Sequence, residues 1–312
     1  MLDALSKSFF HALARSKSLE SMASRIGMAR PTSFARRFIA GETAEEAIEA
    51  AKAIQQRGML LTLDQLGESI TTLAEAEAAT RVYLALVEKI RAAGIDRNIS
   101  VKPTQLGLDI DPSVCVDNIT HILELAKRHD FFVRIDMENT PYIQKTLDVF
   151  TSVWSMGYRN AGVVLQSAVF RSEDDAKAMS KLGARVRLVK GAYKEPTALA
   201  HQAKADVDKA FVRIMKGLLK EGTYPAIATH DPVMIDAAKA FAAEQGISKD
   251  AFEFQMLYGI RRDLQAQLVA EGYRMRIYVP FGKQWFPYFM RRLGERPANV
   301  GFVLKGILSD RG

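Results

Sequence analysis

The six residues FFVRID (131–136) alternate in character: Val133 and Ile135 are apolar, while Arg134 and Asp136 are charged. Successive side chains of a strand point to opposite faces, so this run carries one apolar and one ionic face. Seven further β-like runs follow the same chain. They are MLLTLD (59–64), RNISVKP (97–103), AGVVLQ (161–166), ARVRLVK (184–190), PAIATH (225–230), FEFQML (252–257) and RMRIYVP (274–280). Helical segments such as AEAEAATRVYLALVEKIRAAG and PSVCVDNITHILELAKRH lie between them. Eight β/α units, counting an arginine-rich helix as the last, match a closed (βα)8 TIM-type barrel better than a two-domain split. An open doubly wound sheet is the alternative. No GxGxxG turn follows a strand and no P-loop occurs, which disfavours a Rossmann dinucleotide site. The expected organisation is an N-terminal helical arm over residues 1–57 and a distorted barrel over 58–312.

The alternation recurs from strand to strand. One parity is apolar: Ile99 and Val101, Val133 and Ile135, Val186 and Leu188, Ile277 and Val279. The other is polar: Ser100 and Lys102, Arg134 and Asp136, Arg185 and Arg187, Glu253 and Gln255, Arg276 and Tyr278. If the apolar set meets the helices, the polar set lines the lumen. Buried charge costs several kcal/mol unless it is paired. Ion pairs plugging the bottom of the barrel account for Arg134, Arg185, Glu253 and Arg276, which come early in their strands. Lys102, Asp136, Gln166, Arg187, Lys190, His230 and Tyr278 come at or near strand C-terminal ends, where barrel enzymes keep their active sites.

Strand eight runs almost directly into WFPYFMRRLGE (285–295). At about 100° per residue, Trp285, Tyr288, Arg291, Arg292 and Glu295 share one side of a helix. Phe286, Phe289, Met290 and Leu293 form an apolar side, which is core. The mixed side calls for solvent or a ligand, and its aromatic residues favour a ligand. This last helix is expected to lean over the barrel mouth. Paired arginines there form a fork suited to a carboxylate or a phosphate. Tyr278, Tyr288 and Leu257 offer an apolar wall for a small ring.

Composition narrows the function classes. The chain has 312 residues, 48% of them apolar, and no apolar run of membrane-spanning length. Net charge is +7, with lysine and arginine scattered rather than gathered into an RNA-binding arm, so no nucleic-acid partner is expected. The one cysteine, Cys115, excludes an internal disulfide, reads as a packing thiol and suits a cytoplasmic setting. The N-terminus is basic and partly amphipathic, with Leu2, Leu5, Phe9 and Leu13 along a stripe, and it lacks a secretory apolar block. No metal-ligand pattern stands out.

The motifs ISVKP, FVRIDMEN, VVLQ, VRLVKGAYKEP, ATHD, FQMLYG and YVPFGKQWFPYFMRRLGERPAN resemble, in order, those of the proline dehydrogenase family. The resemblance covers about residues 59 to 304. It implies a bacterial single-function flavoenzyme that oxidises L-proline to Δ1-pyrroline-5-carboxylate by hydride transfer from C5 to N5 of FAD. By that resemblance Met137, Gln166, Arg187, Lys190, Gly191, Ala192, Thr229, His230 and Glu295 contact FAD. Arg291 and Arg292 grip the proline carboxylate with Lys102 alongside, while Leu257, Tyr278 and Tyr288 wall the ring. Asp136 and Arg187 take the catalytic roles. Glu68, on the loop after strand one, pairs with Arg291 as a gate. Lys194 stands where many relatives carry Trp. The family's acceptor is a quinone, which implies peripheral contact with the inner face of the membrane. An oligomer and a pyrroline-5-carboxylate dehydrogenase partner are compatible with it.

Two other readings stay open on the residues alone. Lys102 or Lys190, each ending a strand, suits a Schiff-base aldolase. A ligand-binding barrel without catalysis is the other.

Overall fold

A computed structural model of the chain describes Met28 and residues 33–67 and 70–295. Its strands are β1 (Leu60–Gln65), β2 (Asn98–Val101), β3 (Phe132–Ile135) and β4 (Ala161–Gln166), then β5 (Arg185–Val189), β6 (Ala226–Ala228), β7 (Glu253–Leu257) and β8 (Arg274–Phe281). They pair in sequence order, all parallel, and β8 closes the ring on β1. Helix α1 (Ala44–Gln55) precedes the barrel. Then come α2 (Leu73–Ala93), α3 (Pro112–Arg128), α4 (Thr140–Ser155) and α5 (Ser172–Leu182). The remainder are α6 (Lys204–Glu221), α7 (Pro232–Glu244), α8 (Arg262–Ala270) and α9 (Trp285–Glu295). The fold is therefore the expected (βα)8 barrel, with one helix after each strand.

Local chemistry starts the helices where the sequence changes period. Thr43 with Glu46 and Thr72 with Glu75 form capping boxes at the starts of α1 and α2. Asp111 and Asp231 cap α3 and α7, each followed by a proline at the first helical position. On α2, Ala76, Tyr83, Val87 and Ile90 recur at helical spacing and are buried. Tyr83, Val87 and Ile90 pack with the outward-facing Leu61, Leu63, Ile99 and Val101 in one core. Burying a side chain of this size stabilises by roughly 1.5–3 kcal/mol. Cys115 lies in the same core and donates to the Pro103 carbonyl at 3.5 Å. Burial pushes its thiol up to about 12, so it packs rather than reacts.

The polar parity does line the lumen, with two corrections at the bottom. Arg276 pairs with Glu253 at 2.8 Å and with Asp96 at 2.5 Å. Arg134, expected in an ion pair, instead donates to the carbonyls of Val163 (3.0 Å) and Arg185 (2.6 Å). Arg185 is exposed, its guanidinium 5.1 Å from the rings of both Phe132 and Tyr224. As the first residue of its strand it still reaches water. No described helix is long and apolar enough to cross a membrane. The amphipathic stripe of residues 2–13 lies outside the described residues.

Candidate active site

A cavity of about 450 Å³ opens at the C-terminal end of the barrel, a size typical of small-molecule sites. The described residues expected in the site line it, except Trp285, which turns away, and Glu295, whose side chain is not among those described. Glu68 lies outside the described residues. Lys194 is exposed and takes no part in the lining.

The centre of the lumen is one hydrogen-bonded chain of charges. Arg187 on β5 is buried and donates to Asp136 (2.8 Å), Gln255 (2.6 Å) and Ser100 (3.3 Å). The other oxygen of Asp136 accepts from the Tyr278 hydroxyl at 2.9 Å, and the Arg187 guanidinium stacks 5.3 Å from that ring. Burial, with the nearby Asp136 and Asp64 carboxylates, holds the Tyr278 phenol well above its ordinary value, so it remains a donor. Tyr278 is thus a polar anchor as well as a wall. Gln255 passes the chain downward, donating to Glu253.

Lys102 follows β2, and its Nζ donates to both oxygens of Asp64 at 2.7 and 2.9 Å. Lys190, after β5, pairs with Asp208 (2.5 Å) and Asp231 (2.7 Å). Asp231 has a second task, accepting from Val233 N at 3.1 Å to cap α7. Although burial opposes it, the lysines hold Asp208 and Asp231 below the usual carboxylate range. Both candidate Schiff-base lysines are thus engaged by carboxylates, an arrangement that works against the neutral, free amine an imine-forming lysine needs.

The rim is set by backbone. His230 Nε2 accepts from Leu257 N at 2.9 Å, which makes the ring a neutral tautomer with its proton on Nδ1. Thr229 is buried, and its hydroxyl accepts from Asp231 N at 3.1 Å. Gln166 donates to the Glu138 carbonyl at 2.7 Å, which turns its amide oxygen towards Gly191. Met137 and Ala192 add apolar surface.

Helix α9 leans over this mouth as expected, and presents Tyr288, Arg291 and Arg292 to the cavity. Arg292 is buried with its guanidinium 5.0 Å from the Tyr288 ring. Trp285 does not belong to this face. It is fully buried against Phe286 and Phe289 and donates to Glu42 at 3.1 Å. The helical wheel placed it correctly in angle, but a segment of the N-terminal region covers that end of the helix.

Asp64, which holds Lys102 from below, was missed, as were Lys204 and Asp231 of the cavity lining. Thr62 and Asp64 continue the polar parity into β1, and both are fully buried. Ser100 and Gln255 carried the right parity but were given no role in the site.

Comparison with known proteins agrees with this architecture. Residues 47–305 match the family described as "Proline dehydrogenase". The chain is 40% identical over 303 residues to "Proline dehydrogenase 2" of Bacillus subtilis (strain 168), covering 97% of this chain and 99% of that one. It is 41% identical over 312 residues to "Proline dehydrogenase" of Deinococcus radiodurans, covering 99% of each. Among solved structures it resembles proline utilization A (PutA) from Bdellovibrio bacteriovorus inactivated by N-propargylglycine. That match has a TM-score of 0.77 at 29% identity over 83% of this chain, and the chain spans 32% of that longer protein. With this fold, this cavity and relatives matched over nearly the whole length, the chain belongs to the proline dehydrogenase family.

Proposed function

We propose that the protein, a proline dehydrogenase, oxidises L-proline to Δ1-pyrroline-5-carboxylate with FAD as its cofactor and a quinone as the electron acceptor. One observation carries this reading. An arginine pair, an aromatic wall and a buried chain of alternating charges converge on a single cavity at the barrel mouth.

The donor set suits a flavin dinucleotide. Lys190 supplies positive charge for a pyrophosphate, while Gln166 and Thr229 supply amide and hydroxyl groups for the polar edge of a ring. Gly191 also lines the cavity, and an added Cβ there would sit 3.2 Å from Gln166 Oε1, so the turn packs closely on that amide. Arg187, Ala192, Met137 and His230 complete the residues that would hold the group. The chemistry FAD supplies when bound is hydride acceptance at N5 from proline C5, with the electrons passed on to the quinone.

The protein's own residues bind and orient. Arg291, Arg292 and Lys102 grip the carboxylate at one end of proline, while Leu257, Tyr278 and Tyr288 pack the ring, which fixes the C5 hydrogen in place. Arg187 places a cation where negative charge develops during the reaction, and Asp136 fixes its guanidinium. Tyr278 keeps its proton and holds Asp136 from the other side. A quinone acceptor brings the barrel to the inner face of the membrane. The product suits a pyrroline-5-carboxylate dehydrogenase as the next enzyme of proline catabolism.

Purified protein should be yellow and should bleach when L-proline is added. Arg292→Lys keeps the charge but loses the planar fork. A charge-assisted hydrogen bond is worth roughly 1.5–3 kcal/mol, so KM for proline should rise about 10- to 150-fold. A flavin-loaded Arg292→Lys with unchanged KM would remove the arginine pair from the carboxylate site.

A further inference from the structure

Asp64 is the last lumen-facing residue of β1, and none of it reaches solvent. It lies beneath Lys102, which lines the cavity, and takes the ammonium on both carboxylate oxygens. Of the other charged or titratable groups around the pair, Asp136 on β3 already receives Arg187 and Tyr278. Glu138 receives the backbone N–H and hydroxyl of Thr104 at 3.2 and 2.8 Å. Tyr83 reaches in from α2, but its hydroxyl donates to Gln105 at 2.9 Å.

From this geometry we propose that Asp64 is a positioning residue: it holds the Lys102 ammonium at the floor of the mouth, where it joins Arg291 and Arg292 in binding the substrate carboxylate. The inference rests on the carboxylate assignment made above. Burial raises the Asp64 carboxyl, and the Asp136 carboxylate adds to that, while the Lys102 ammonium opposes it. The pair is therefore mutually dependent. An ammonium this deep is expensive without a counter-charge, and it gives up its proton or swings away when the carboxylate is neutralised.

The experiment uses the full-length, flavin-loaded protein. KM and kcat for L-proline are measured against pH for the wild type, Asp64→Asn, Lys102→Met and the double variant. In Asp64→Asn, KM should rise about 10-fold or more at neutral pH and climb further as pH increases, with kcat changed much less. In the Lys102→Met background, Asp64→Asn should change KM no further, since its effect passes through that lysine. Asp64→Glu restores the charge and should restore the wild-type pH profile of KM, and it serves as the test if the asparagine variant does not fold.

Several results would overturn the idea. Wild-type KM and pH profile in Asp64→Asn is one. An equal KM effect with Lys102 already replaced is another, and so is a new pH dependence of KM in Asp64→Glu. Arg292→Lys, run alongside, separates the levels. If it leaves KM unchanged, the carboxylate assignment falls and takes this inference with it. If it raises KM while Asp64→Asn does not, only the role of Asp64 falls.

Discussion

Gly191 has a φ of +113°, a backbone conformation that residues with a Cβ rarely adopt. It also faces the Gln166 amide and Ala168, 3.2 and 3.3 Å from where a Cβ would stand. Gly191→Ala therefore meets strain and crowding together, at a cost of about 1–2 kcal/mol. If the cofactor lies against this turn, flavin affinity should fall about 5- to 30-fold, in step with that cost. Titrating flavin into the stripped protein measures it, and wild-type affinity in Gly191→Ala would move the cofactor away from this turn. Alongside such a backbone position, Asp64 shows why one residue of the site escaped the sequence. MLLTLD carries three leucines, and its closing acid reads as a turn residue. Only the closed ring, which puts Asp64 beside Ser100 and Lys102 within reach, turns it into a site residue.

The last helix gains its orientation from a segment that has no periodic signal. Ala40 N donates to the Pro280 carbonyl and Gly282 N to the Gly41 carbonyl, both at 2.9 Å, which straps residues 40–41 beside the end of β8. Phe38 packs on Phe289 with ring centroids 6.2 Å apart, and Glu42 takes the Trp285 indole. Arg37 presses so close to the loop after β7 that a Cβ on Gly259 would stand 1.7 Å from its carbonyl oxygen. Gly259 also has a φ of +74°. Gly259→Ala should push this strap off, lower stability by roughly 2 kcal/mol or more, and raise KM for proline as α9 loses its backing. Thermal unfolding and steady-state kinetics separate the effects; a lowered Tm with wild-type KM would leave the strap no part in substrate binding. The contrast with the barrel is physical. Alternation and helical spacing fixed eight strands to within a few residues, because each buries one face against a helix. The strap is an irregular segment with a short 3₁₀ turn, Phe34–Arg37, so no period marks it. Its cover over Trp285 was accordingly invisible, and that tryptophan was assigned to the ligand face.

Across the whole barrel the lumen is a column of charge rather than the usual branched aliphatic layers. At the mouth Lys102 pairs with Asp64 and Arg187 with Asp136, and below them Arg276 pairs with Glu253 and Asp96, while Arg134 rests on backbone carbonyls. The two levels meet at Gln255, which accepts from Arg187 and donates to Glu253. Replacing one member of a buried pair strands its partner, so Glu253→Gln should cost about 3 kcal/mol at neutral pH, with Asp96 still holding Arg276. Burial alone would raise the Glu253 carboxyl, but Arg276, with hydrogen bonds from Arg276 and Gln255, brings it below its ordinary value. The folded state therefore binds that proton less readily than the unfolded chain does. Its stabilising contribution is complete above the unfolded value of about 4.3 and is lost as pH falls through the lower, folded value. Denaturant unfolding of wild type and Glu253→Gln should accordingly show a constant gap from neutral pH down to about pH 5, and a gap that narrows below it. A gap that stayed constant into strong acid would mean that the cost of Glu253→Gln comes from packing and not from charge. In that case the column would be held by its hydrogen-bond geometry, and the pairing of Arg276 would rest on Asp96 alone.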